Sequence, residues 1–126
     1  MRRLFAAVAL LALLLGLSLA NAWYTREITG RIGVQLALAQ ELAREGDWDG
    51  AREQTDLARR DWQEHSLYFH VTVRHSDTDG VLKGFRAVEE YLALQEPDQY
   101  YAANADLMAQ LELLSEMEQP SLANVL

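Results

Sequence analysis

Apolar positions fall along this chain in two kinds of pattern. From Leu4 to Thr25, LFAAVALLALLLGLSLANAWYT, 22 residues pass without a charge, and eight of them are Leu. Arg2 and Arg3 precede the run and Arg26 closes it. As one α-helix the run measures about 33 Å, enough to cross a hydrocarbon core of roughly 30 Å. Trp23 and Tyr24 stand at its far end, where amphipathic rings favour the headgroup level. Beyond Arg26 the pattern turns periodic. Ile28, Ile32, Leu36, Ala39 and Ala43 recur at steps of three and four, so the first helix is expected to continue past the run with one face buried. Gly30 and Gly33 weaken it and are candidate bend points just outside a bilayer.

Glu45-Gly46-Asp47 reads as a turn, with Gly46 as a C-terminal cap and Asp47 accepting from the free N–H groups of the next helix. Trp48, Ala51, Thr55, Ala58, Trp62, His65 and Phe69 then alternate steps of three and four, a seam of large Trp against small Ala. Residues 67–74, LYFHVTVR, favour strand locally. No second strand-like run exists to pair with them, so they read as the frayed end of the second helix. Ser76-Asp77-Thr78-Asp79 matches a capping box and opens a third helix along Val81, Phe85, Val88 and Leu92, with Tyr91 on its flank. Glu96-Pro97-Asp98 breaks it. A fourth helix follows along Tyr100, Ala103, Leu107, Leu111 and Leu114 and stops before Pro120, and Leu122, Val125 and Leu126 in the tail are expected to tuck back onto the bundle.

The fold class is therefore all-α: an N-terminal transmembrane helix continuing into a small bundle of two helical hairpins, about four helices in all. A weak repeat at an offset of 51 supports the pairing, with Gly33 on Gly84, Glu45 on Glu96, Asp47 on Asp98 and Ala51 on Ala102. Residues 1–25 form the anchor, or a signal peptide, and residues 26–126 one outer domain. Ala20-Asn21-Ala22 spells a cleavage site, and cutting there would release a chain beginning at Trp23. The run is longer than the usual signal core, and Trp23, Tyr24, Ile28 and Ile32 read as one helix leaving the membrane without interruption, which favours an uncleaved anchor. Arg2 and Arg3 keep the short N-terminus cytoplasmic, so the expected location is the cell membrane, single-pass, with the C-terminal domain outside.

Charge narrows the partners. All 19 acids lie after Arg26, so the outer part carries them against nine bases, a net of −10. After Arg86 there are eight acids and no base. Such a surface repels phosphate backbones, which argues against nucleic acid. Cys is absent, so disulfides, iron–sulfur clusters and Cys-zinc sites are excluded.

The order of parts resembles a known family. A basic start, an apolar helix, the Asp47-Trp48 turn, Trp62, His75, a second hairpin and the closing Pro120-Ser121-Leu122-Ala123-Asn124-Val125-Leu126 are similar to the bacterial membrane proteins grouped as domain of unknown function 4363. The resemblance covers the whole chain and implies a single-pass helical protein. It brings no activity and no catalytic residue with it.

The residues themselves offer little catalytic machinery. His65, His70 and His75 sit five apart, a spacing that does not converge on a helix or on a strand, and H-E-x-x-H is absent. Ser66 and Ser76 each neighbour a His only in sequence, and no G-x-S-x-G elbow is present. No enzyme, cofactor or metal is expected. The expected function is a membrane-anchored extracytoplasmic interaction module. It would contact lipid through residues 4–25 and another membrane or envelope protein through an acidic face at Glu112, Glu116 and Glu118. The alternative is an exported helical domain that binds a small ligand or a cation. The acidic fourth helix is expected to lie partly against the second helix, which bears Arg52, Arg59 and Arg60.

Overall fold

The computed structural model describes residues 1–66, 68 and 75–117. Four helices organise them: α1 (Arg2–Arg44), α2 (Trp48–Glu64), α3 (His75–Leu94) and α4 (Pro97–Met117). Among the described residues there is no strand. The chain is all-α, as its periodicity requires.

α1 is 43 residues long and carries two environments on one rod. Residues 1–20 are exposed throughout, while from Ala22 onward one side is buried. Ile28, Ile32, Leu36, Ala39 and Ala43 are all in the core, at the predicted steps. The helix passes Gly30 and Gly33 without interruption. Two glycines cost about 2 kcal/mol together in helix propensity, and burying three large aliphatic side chains outweighs that.

The first hairpin turns where Gly46 predicted. Gly46 has a positive φ of 86°, its N–H donates to the Ala43 carbonyl at 3.0 Å, and the Asp47 N–H donates to Leu42 at 2.9 Å. This is a Schellman cap. The Asp47 carboxylate then accepts from the Gly50 N–H at 2.9 Å and starts α2. Ala51, Thr55, Ala58 and Trp62 of the predicted seam are buried, and Trp48 and His65 are half-buried. Phe69, with residue 67 and residues 70–74, lies outside the described residues.

Ser76–Asp79 lie within α3, which is described from His75, instead of preceding it. Val81, Phe85, Val88 and Leu92 are fully buried. The second turn differs from expectation. Pro97 is the first residue of α4, and the bend lies at Gln95 and Glu96. Proline suits this position because its missing N–H would be unpaired there in any case. Gln95 takes the left-handed conformation, with φ 54°, and the Glu96 N–H donates to Tyr91 at 3.1 Å. The equivalent cap residues are thus Gly46 and Gln95, 49 apart, and the repeat at an offset of 51 is two residues out of register at the turn. The tail from Glu118 to Leu126, including the expected tuck of Leu122, Val125 and Leu126, lies outside the described residues.

The helices close into a four-membered ring. α1 packs on α2 and α4, and α3 packs on α4 and α2. Both hairpin turns share the end of the bundle far from the apolar run, where the Trp48 and Tyr100 rings meet at 6.1 Å. At the other end Tyr24 contacts His65 at 5.9 Å and Tyr68 at 4.7 Å, edge on.

Candidate functional site

Glu112 and Glu116 are both exposed on α4, and their four-residue spacing puts them on one side of the helix. Glu118 lies outside the described residues. Glu112 borders two shallow grooves along the seam of α1 and α4. The one nearer the apolar run, about 260 Å³, is floored by Gly30, Gly33, Leu111 and Ser115, with Arg26 at its edge. The other, about 410 Å³, is lined by Ala37, Gln40, Glu41, Ala105 and Ala109. Met108 faces both. Small side chains from both helices make a face that a third helix could approach closely, with carboxylates on its rim.

The arginines of α2 do not meet that face. The ring places α2 and α4 diagonally, and they meet across the core through Trp48 and Tyr100, not through the arginines. Arg52 pairs within its own helix with Asp49 at 3.1 Å, and Arg60 with Asp56 at 2.9 Å. Arg59 reaches Glu89 on α3 at 2.6 Å. The expectation that α4 lies against these bases is therefore overturned. Exposed pairs contribute too little to choose a neighbour, and apolar seams decide the ring order.

One cluster of metal-ligating types forms that spacing alone did not suggest. Ligand atoms of Asp61, Glu64 and His65 lie within 4.8 Å of one another. Asp61 is already engaged: Arg31 of α1 donates from Nε and Nη2 to its two oxygens, each at 2.7 Å. That hydrogen bond also raises the Arg31 guanidinium above its ordinary value. His65 Nδ1 stands 2.8 Å from the Asp61 carbonyl, fixing the ring along its own helix. The group reads as an α1–α2 clamp. His70 lies outside the described residues, and His75 lies on α3.

A polar layer inside the bundle was missed from the sequence. Asn104 is fully buried and donates from Nδ2 to the Leu36 carbonyl at 3.2 Å and to Gln40 Oε1 at 3.0 Å. It falls four residues after Tyr100 and three before Leu107, so its position fits the core period although its chemistry does not. Tyr100 is also fully buried, and burial pushes its phenol up to about 12. Its hydroxyl and that of Thr55 face each other across the core without closing a hydrogen bond of good geometry, though Thr55 partly offsets the shift.

A family model described as Domain of unknown function (DUF4363) matches residues 21–125. No curated protein and no solved structure matches the chain.

Proposed function

From the premise that the chain belongs to the DUF4363 family, whose matched region opens at residue 21 where the exposed apolar run of α1 ends, we propose that it is a membrane-anchored extracytoplasmic helical interaction module. The observation that carries this reading is the division of α1. One helix is long and apolar enough to cross a membrane, and none of its most apolar stretch is buried inside the protein. A core helix of a soluble domain would be covered. Here Leu4, Phe5, Leu11 and Leu17 are each 60% exposed or more, and hydrocarbon is the environment that suits them.

Retention of the anchor is supported by the same helix. Ala20-Asn21-Ala22 lies inside it with no break, and Ala22 is only 5% exposed. Arg2 and Arg3 place the short N-terminus in the cytoplasm, and the outer domain follows as a folded unit whose own charges weigh little on orientation. Its partner is another membrane or envelope protein, met along the α1–α4 face or at the carboxylates of Glu112 and Glu116. Fractionation of cells expressing a C-terminally tagged chain tests the reading. The protein is expected to resist high-pH extraction from membranes, to retain residues 1–22 by mass, and to lose its tag to protease in wall-stripped cells. A mature chain beginning at Trp23, or a protected tag, would overturn the anchor or the orientation respectively.

A further inference from the structure

We infer that the exposed side of α1 is a self-association surface, and that its occupant is the α1 helix of a second copy in the same membrane. This rests on the anchored reading above. Trp23, Gly30, Val34, Ala37 and Glu41 follow one another at steps of seven, four, three and four and share the outward side of α1, where Gly30, Ala37 and Glu41 border the grooves against α4. Trp23 is 65% exposed and Val34 70%, on a helix whose opposite side is fully buried. The same side continues down the apolar run through Leu19 and Gly16.

Three glycines on this rod have no explanation within the fold. At Gly16, Gly30 and Gly33 a Cβ would meet nothing of its own chain within 4 Å, and none has a positive φ. Elsewhere the glycines have a neighbour or a conformation to account for them: Gly46 its positive φ, Gly50 the Asp47 carboxylate, Gly80 the Gln110 Oε1 at 3.1 Å from an added Cβ, and Gly84 Leu107, whose Cδ1 would lie 2.8 Å from one. Glycine is unfavourable in a helix interior relative to alanine, so three uncompensated ones along one side mark an approach by something outside the chain. Small residues let helix backbones come close, and in a bilayer this packing drives association.

Charge identifies the approaching helix as a second copy. Anchored copies share one orientation, so a two-fold pair must have its axis along the membrane normal and its α1 helices parallel. In that arrangement each flank of one helix faces the opposite flank of the other at the same height. Arg26 and Glu27 lie on opposite flanks of the seam, so Arg26 of each copy faces Glu27 of its mate. Arg44 and Glu45 stand 18 residues further on, five full turns, on the same two flanks, but there the Arg44 guanidinium lies over the Tyr101 ring of its own chain, so Arg26 and Glu27 carry the complementarity. Arg26 also has a partner within its own chain, and a guanidinium with five donors serves both. Glu41 falls at the centre of the seam, where Arg44, 3.4 Å away in its own chain, offsets the repulsion between copies.

The absence of cysteine makes the test direct. Full-length chain carrying Val34→Cys is oxidised in isolated membranes beside Leu57→Cys, a half-exposed position on α2. Val34→Cys is expected to give a disulfide-linked species of twice the chain mass, since Cβ atoms beside a two-fold axis lie within bonding reach, and Leu57→Cys is expected to stay monomeric. In the Val34→Cys background, Gly30→Leu should abolish the linked species while leaving the melting temperature unchanged or higher. Arg26→Glu should weaken it, and adding Glu27→Arg should restore it. Equal linkage at both positions, no linkage at Val34, or an adduct of another mass would overturn the assignment, the last by naming a different protein as occupant. Recovery of the chain in the soluble fraction before oxidation would instead overturn the anchored reading, so the two failures are told apart.

Discussion

The α1–α2 and α3–α4 hairpins turn through the same Schellman geometry but hold their helices together by different means. α1 and α2 meet over small residues, Ala39, Ala43, Ala51 and Ala58, and are clamped by the bidentate Arg31–Asp61 pair. α3 and α4 meet over large ones, Phe85, Leu92, Leu107 and Tyr100, with Gly84 admitting Leu107. The first turn uses glycine in the left-handed conformation and the second uses Gln95. One hairpin is thus a close-packed, polar-clamped pair built on the helix that carries the apolar run. The other is a conventional apolar pair that completes the core. The difference teaches that the same turn does not dictate the same interface: side-chain size sets how near the helices come.

The largest expected effect tests whether both hairpins depend on aromatic burial. Trp62→Ala and Phe85→Ala should each cost roughly 3–5 kcal/mol, enough to unfold a domain of marginal stability. Thermal melts of the full chain in detergent check this, and an unchanged midpoint for Trp62→Ala would mark it as an exposed binding residue. The clamp comes next. Arg31→Gln leaves the nearly buried Asp61 carboxylate short of its charged partner and should cost about 2 kcal/mol, whereas Glu89→Gln, opposite a more exposed partner, should cost about 1 kcal/mol or less. Equal costs would mean that the clamp inside the first hairpin holds no more firmly than the Arg59–Glu89 pair that joins the two hairpins.

Tyr100 gives the comparison a pH signature. An unfolded phenol ionises near 10. Burial pushes it up to about 12 in the fold, so between these values the unfolded state has already lost the proton. Stability should therefore be flat below about pH 10, fall as pH rises to about 12, and level off above. Denaturant titrations across that range, with Tyr100→Phe removing the fall, provide the measurement. At the turns the effects are smaller and opposite in sign. Gly46→Ala should cost about 1 kcal/mol and Gln95→Gly should gain about 0.5–1 kcal/mol, both read as shifts in midpoint. Least of all in stability, replacing Glu112, Glu116 and Glu118 together by Gln should leave the midpoint in place while lowering recovery of a basic partner and flattening the salt dependence of its association rate. Equal recovery from both proteins would leave the acidic face as solvated surface.

Little of the proposed interaction surface was legible beforehand. Glu112 could be named because acids crowd the end of the sequence, but its place beside Gly30, Gly33 and Ala37 required knowing that α4 lies against α1. Asn104 escaped because a polar residue at a core position looks like a surface residue until the neighbouring helix supplies the Leu36 carbonyl and Gln40. Gln95 escaped because nothing in its chemistry favours the left-handed conformation it adopts.

What the amino-acid order determined alone was everything a helix settles with itself. Steps of three and four named most of the apolar core positions of the four helices, although on α4 the predicted Ala103 is only half-buried and Asn104 beside it is buried. Gly46 and Asp47 marked the first turn, and the length of the uncharged run marked a helix able to cross a membrane. Those are local matters, in which a side chain's face follows from its distance along the same rod. The ring order, the Arg31–Asp61 clamp across 30 residues, and the passage of α1 unbroken through two glycines were decided only in three dimensions. Two hairpins with the same periodicity can be set beside each other in more than one way. The choice falls to interhelical packing, where small residues of α1 and α2 allow close approach and the large ones of α3 and α4 fill the space that remains.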